Sequence, residues 1–151
     1  MLNSICYISN SRILFDKDLL HLFFDLIKKR NDAVKISGLL LYHDGTFVQV
    51  LEGDPSAVEV VFSKIKKDGR HNQITIMIDR EIQHRHFTKY QTSSISSGND
   101  LELRKLRTRV NLPKASSYTK SLWAVLKPFY LDRPPILYGY GLQELENNFT
   151  V

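Results

Sequence analysis

The sequence predicts an α+β domain with the element order β-α-β-β-α-β, followed by one more strand and a helical extension. Three observations carry this. Two segments repeat apolar residues at helical spacing, and short aliphatic and aromatic runs bounded by turn residues lie around them. The third is bulk: 151 residues, 42% hydrophobic and 25% charged, suit a soluble domain large enough to bury a core without cross-links.

Leu2 to Ser9 is an aliphatic and aromatic run before the polar break Asn10-Ser11, and reads as the first strand. Asp16 or Asp18 caps a helix running to about Arg30. Leu19, Leu22, Phe23, Leu26 and Ile27 form its expected buried stripe, and Lys28, Lys29 and Arg30 suit the negative end of its dipole. Ile36 to Tyr42, interrupted by Gly38, and Thr46 to Leu51 flank His43-Asp44-Gly45 and make a hairpin. Asp54-Pro55 places a capping carboxylate before a proline at the first helical position. Val58, Val61, Phe62 and Ile65 then give the second helix one buried face. Ile74 to Ile78 alternates as a strand, and a fifth strand runs from about Arg85 to Ser94. The order is ferredoxin-like, a mainly antiparallel sheet with two helices on one face.

Strand parity sharpens this reading. Ile5 and Tyr7 point to one side of the first strand, Cys6 and Ile8 to the other; Phe47, Gln49 and Leu51 oppose Val48 and Val50 on the third. Both sheet faces are largely apolar, and two helices cover only one. The C-terminal third is the expected cover, with a boundary between residues 1–96 and 97–151. Ser93 to Gly98 is a polar linker, and Asn99 or Asp100 caps a helix carrying Leu103, Leu106 and Val110. After Pro113 a second helix, from about Ser116, carries Tyr118, Leu122, Trp123, Val125 and Leu126 until Pro128 ends it. This pair is expected on the far face of the sheet, or sharing it with another subunit. Phe129 to Val151 receives no assignment.

Several function classes find no support. Cys6 is the only cysteine, so neither an intramolecular disulfide nor a Cys-based zinc site exists. His84 and His86 alternate without a third convergent ligand, so no metal is expected. The N-terminus lacks a secretory pattern, and no apolar run approaches the roughly 20 residues of a membrane span; a cytoplasmic protein is expected. The net charge of +5 is spread over several segments and reads as solvated surface rather than a nucleic-acid footprint. No phosphate loop, nucleophile elbow or acid/base pair is present, so no enzyme is expected.

Tyr7 and Gln49 are the first polar pair of interest. In a ferredoxin-like sheet their strands are adjacent and central, and parity puts both on the helix side within hydrogen-bonding reach. A buried amide left unpaired costs about 1–3 kcal/mol per group, so the pair is either a structural bond or part of a site for a planar polar ligand. Asn31, directly after the first helix, reads as a C-cap. Lys64 and Asp68, at i and i+4, read as a surface ion pair or as the rim of something inserted between the helices.

Together these residues form a pattern. Cys6-Tyr7-Ile8-Ser9, Asn31 ahead of Ile36-Ser37-Gly38-Leu39-Leu40, Phe47-Val48-Gln49-Val50-Leu51-Glu52-Gly53, and Asp68-Gly69-Arg70-His71 occur in order. They closely resemble the BLUF family, flavin-binding sensors of blue light, over roughly residues 2 to 95. The chain also looks like the short subclass, in which a helical extension alone follows the sensor. The resemblance implies a non-covalent flavin between the two helices, FAD in preference to FMN or riboflavin. It makes Tyr7 the photoactive tyrosine and Gln49 the switching glutamine, with Asn31 on the pyrimidine edge. Lys64, Asp68, Arg70 and His71 approach the ring or ribityl chain, and Ile65 with Phe23 or a neighbour sandwiches the ring. Tyr90 and Thr92 stand where the family usually has tryptophan and methionine on the fifth strand, the expected signal relay. The implied output is contact with a protein partner or altered homo-oligomerisation. A light-insensitive interaction module and an RNA-binding domain are the rival readings; the apolar far face argues against the second, since such domains expose stacking aromatics there.

Overall fold

The computed structural model describes residues 1–13, 15–43, 45–94 and 117–130. The chain divides into two compact units, Met1–Ser94 and Ile95–Val151. The first contains β1 (Leu2–Ser11), α1 (Lys17–Ala33), β2 (Ser37–His43), β3 (Thr46–Gly53), α2 (Pro55–Lys66), β4 (His71–Ile82) and β5 (Tyr90–Ser94). Its sheet has the order β4-β1-β3-β2-β5. β1 runs antiparallel to both β3 and β4, β2 antiparallel to β3, and β5 parallel to β2. This is the ferredoxin-like α+β arrangement with a fifth strand added at the β2 edge.

The helix-side core joins Ile5 and Tyr7 to Leu20 and Phe24 of α1, Phe47 and Leu51 of β3, and Val58 and Phe62 of α2. Asp16 caps α1 by accepting the Leu19 N–H at 2.7 Å, and Asp54 caps α2 through Ser56. The serine's bonds hold the Asp54 carboxyl below its ordinary range. Cys6, Ile8, Val48 and Val50, on the opposite face of the sheet, are buried as well.

Several expectations need correction. The buried stripe of α1 is Leu20, Phe24 and Asn31, with Phe23 and Ile27 packed at its edge, whereas Leu19, Leu22 and Leu26 are exposed. The overlapping apolar positions span more than one face, and only the row at 20, 24, 27 and 31 meets the sheet. The helix also runs past Arg30 to Ala33, so Asn31 is not its C-cap. That position belongs to Val34, and Lys35 supplies the left-handed residue at φ +56°. β4 is longer than the Ile74 to Ile78 core read from the sequence, and β5 begins at Tyr90 rather than near Arg85.

In the second unit α3 (Ser117–Tyr130) buries Tyr118, Leu122, Trp123, Val125 and Leu126. It continues through Pro128 instead of stopping there. So near a C-terminus, proline forfeits a single i→i−4 bond. The expected helix with Leu103, Leu106 and Val110, and the stretch from 131 to 151, lie outside the described residues.

Candidate functional site

Tyr7 and Gln49 are direct partners in the β1–β3 register, and Gln49 is in turn opposite Leu40 on β2. Adjacent strands bring opposed side chains on one face to about 5 Å. The Tyr7 hydroxyl donates a hydrogen bond to Gln49 Oε1, and Gln49 Nε2 donates to the Tyr90 hydroxyl. All three residues are buried. Burial pushes both phenols well above their ordinary pKa, Tyr7 further helped by the negative charge of Asp68. Both therefore stay protonated and available as donors.

Tyr90 reaches Gln49 from two strands away, over β2. The residue it opposes there is Gly38. A side chain at Gly38 is excluded, because a Cβ would sit 1.9 Å from the Val50 carbonyl oxygen and the backbone lies at φ +148°. The glycine is thus required by the close approach of β3. Thr92, half-buried, stands opposite Leu40, which in turn opposes Gln49, so it too lies two strands from the amide.

A cleft of about 310 Å³ opens between α1 and α2, with Gln49, Asn31, Lys64, Ile65 and Asp68 among its lining residues. A smaller pocket of about 30 Å³ shares Ile27, Gln49, Ile65 and Asp68 with it and adds Tyr7, Phe23, Arg70 and His71. The residues singled out from sequence as ligand contacts all line one or other of these two spaces. Ile27 is the neighbour that faces Ile65, and Arg30 joins the exposed Lys64 at the cleft; neither was named as a contact, although Ile27 belonged to the recognised apolar stripe.

The ion pair expected between Lys64 and Asp68 is not formed. Asp68 is held instead by Arg70, through a two-pronged contact of 2.6–3.1 Å and the Arg70 backbone N–H at 3.0 Å. The guanidinium lies 4.7 Å from the Phe23 ring centre, tying the turn after α2 to α1. This pairing lowers the Asp68 pKa and raises that of Arg70. A two-residue turn aims Arg70 at Asp68, which the helical spacing of Lys64 does not. His71 bridges β1 and α2. The Ile65 carbonyl can only accept, so His71 Nε2 carries a proton toward it at 2.7 Å, while Nδ1 lies 2.8 Å from Ser9 Oγ.

The cleft suits a flat ring with polar edges. Ile27 and Ile65 flank it with apolar surface, Gln49 presents an amide, and its volume falls at the lower end of small-molecule sites, about 300–1,000 Å³. Most telling is Asn31. Its side-chain Nδ2 is buried with no hydrogen-bond partner among the described residues. It lies near enough to Tyr90 to lower that phenol's pKa, yet without acceptable bonding geometry. An unmet buried donor costs about 1–3 kcal/mol, and a carbonyl on a bound ring would remove that penalty. The residues present therefore fit a flavin. Among the described residues no cluster of three or more His, Cys, Asp or Glu side chains gathers as for a metal, and no helix is long and apolar enough to cross a membrane.

A carboxylate not recognised from the sequence holds the segment before β5. Glu52 is fully buried and accepts the backbone N–H groups of His86 and Phe87, while Arg85 donates to Ser37 Oγ and to the carbonyls of Glu52 and Lys35.

Comparison with known proteins agrees with this geometry. The family model for sensors of blue light using FAD matches residues 2–93. A photoactivated adenylate cyclase subunit beta of Euglena longa is 33% identical over 84 residues, covering 56% of this chain and 10% of that protein. A photoactivated adenylate cyclase subunit alpha of Euglena gracilis is 41% identical over 56 residues, 37% of this chain and 6% of its own length. The chain thus spans about a tenth or less of these relatives. Among solved structures, BlrP1 of Klebsiella pneumoniae, in a calcium and cyclic-diGMP complex, superposes with a TM-score of 0.71 at 25% identity, covering 84% of this chain and 34% of that one. BlrB, a BLUF protein in its dark state, gives 0.59 at 28% identity, covering 83% and 97%.

Proposed function

This chain belongs to the BLUF family, sensors of blue light using FAD, and we propose that it signals through a rearrangement of the hydrogen bonds joining Tyr7 and Gln49 to the flavin. The observation that carries the reading is the buried Tyr7–Gln49 bond beside an open cleft in which Asn31 holds an unmet donor. Bound FAD would supply a chromophore that absorbs blue light and that, when excited, could take an electron from a nearby phenol and return it, leaving no net oxidation.

The chain's own residues do the rest. Asn31 Nδ2 donates to a ring carbonyl, and Ile27 and Ile65 hold the ring faces. Arg30 and Lys64 put positive charge at the cleft, which favours the diphosphate of FAD over uncharged riboflavin. Tyr7 is the phenol of suitable placement: protonated, buried, and bonded to an amide that presents a donor at one end and an acceptor at the other. A change of charge on Tyr7 alters which end of Gln49 it prefers, so the amide reorients and its bond to the ring changes. No covalent bond to the ring is needed. The change passes to β5 through Tyr90 and Thr92, and from there to a protein partner or a second copy of the chain.

Tyr7→Phe tests the assignment. It keeps the ring packing and removes the hydroxyl, so the variant should bind FAD while losing the light-induced absorption shift. A variant that shifts and recovers like the parent removes Tyr7 from its role.

A further inference from the structure

The outer face of α1 carries apolar surface that the core does not use. Leu20, Phe24 and Asn31 turn toward the sheet, whereas Leu19, Leu22 and Leu26 are 42%, 67% and 48% exposed. Their spacing of three and then four residues continues through Lys29 and the exposed Ala33, the alternation of a helix that packs along a second helix. A lone exposed leucine is ordinary, but three in one row on a single helix mark a contact surface.

The charges along the same helix select the partner. Its first half carries Asp16, Asp18 and Asp25, and its second half Lys28, Lys29 and Arg30. Asp25 and Asp32 meet His21 and Lys28 within the helix, at 3.9 and 2.7 Å, while Asp18 and Lys29 form no ion pair among the described residues. We propose that this face is the contact of a homodimer in which α1 of one copy packs antiparallel on α1 of another. A two-fold axis level with residue 24 sets Leu22 of each copy against Leu26 of the other. Lys29 then lies over Leu19 and beside Asp18 of the second copy, its methylene stem covering the leucine while its ammonium meets the carboxylate. Antiparallel order also opposes the two helix dipoles, whereas parallel order would stack acidic half on acidic half and basic on basic. The same patch serves both copies, as closed two-fold pairing requires. One helix face makes a small interface, so the dimer is weak and its population rises with protein concentration. This contact goes beyond the flavin switch and holds in darkness, so a silent photoresponse leaves it standing.

Sedimentation equilibrium of the FAD-loaded full chain in the dark tests it. The average mass should climb from one copy toward two as concentration rises. Leu22→Glu, at an exposed position, should keep the fold and the bound FAD yet raise the dimer dissociation constant at least about tenfold. Leu22→Cys and Leu26→Cys, mixed and mildly oxidised, should give a disulfide-linked dimer that neither variant forms comparably alone; the native Cys6 is fully buried and does not compete. A chain that stays monomeric up to about 1 mM overturns the proposal. So does an association that Leu22→Glu leaves unchanged, or cross-linking that is strongest within each variant alone.

Discussion

The carboxylate of Glu52, fully buried on β3, accepts the backbone N–H of His86 at 2.6 Å and lies 3.3 Å from that residue's Nδ1. Three residues along the same strand from Gln49, it anchors the segment that leads into β5, so the strand carrying the amide also holds the approach to Tyr90. Glu52→Ala would leave the buried N–H groups of His86 and Phe87 without their acceptor. Hydrogen bonds to a charged group are worth about 1.5–3 kcal/mol each; the variant should lose about 2–4 kcal/mol in denaturant unfolding, and Glu52→Gln, which keeps one acceptor oxygen, clearly less. Equal losses in the two variants would mean that packing, not the acceptor, matters.

Asn31 makes the opposite prediction. Its Nδ2 already lacks a partner, so Asn31→Ala should leave the flavin-free protein within about 1 kcal/mol of the parent, while the FAD dissociation constant rises at least about tenfold, the equivalent of about 1.4 kcal/mol. Titration of FAD by fluorescence quenching, beside thermal unfolding without flavin, separates the two effects. A stability loss without an affinity loss would make Asn31 structural only.

Stability should fall in alkali. Burial raises the pKa of Cys6, Tyr7 and Tyr90 above ordinary values of 9.0 for the thiol and 10.0 for the phenols. The native state then keeps protons that the unfolded chain has lost. Stability is intact below about pH 9 and declines as the pH rises, first with Cys6 and then with both tyrosines, by about 1.4 kcal/mol per pH unit for each group. Urea midpoints between pH 8 and 11 measure this; a flat profile contradicts it.

Gly38→Ala should be severe. The added methyl would sit 1.9 Å from the Val50 carbonyl oxygen at a φ that alanine disfavours. Relief requires separating β2 from β3, so a loss above about 3 kcal/mol or failure to fold is expected, read by thermal unfolding. A soluble, normally stable variant would show that the strands can move apart there.

How much of this was legible from sequence follows from the range of each interaction. Tyr7 meeting Gln49 needed only alternation along two strands that the topology makes neighbours. Asn31 could be placed at the end of α1 but not recognised as buried, because that depends on which of several overlapping stripes faces the sheet. The partner of Asp68 was misread because helical spacing favoured Lys64, while the turn after the helix carries Arg70 back. Glu52 was invisible as an anchor, since its partners are backbone N–H groups 34 and 35 residues away. The contact of Tyr90 with Gln49 needed the parallel register of β5 on β2, which has no local signature.

The most direct measurement is the absorption spectrum of the purified, FAD-loaded protein before and after blue light. The account predicts a small red shift of the flavin bands that reverses in the dark. A spectrum that stays fixed under illumination, from protein saturated with FAD, would contradict it.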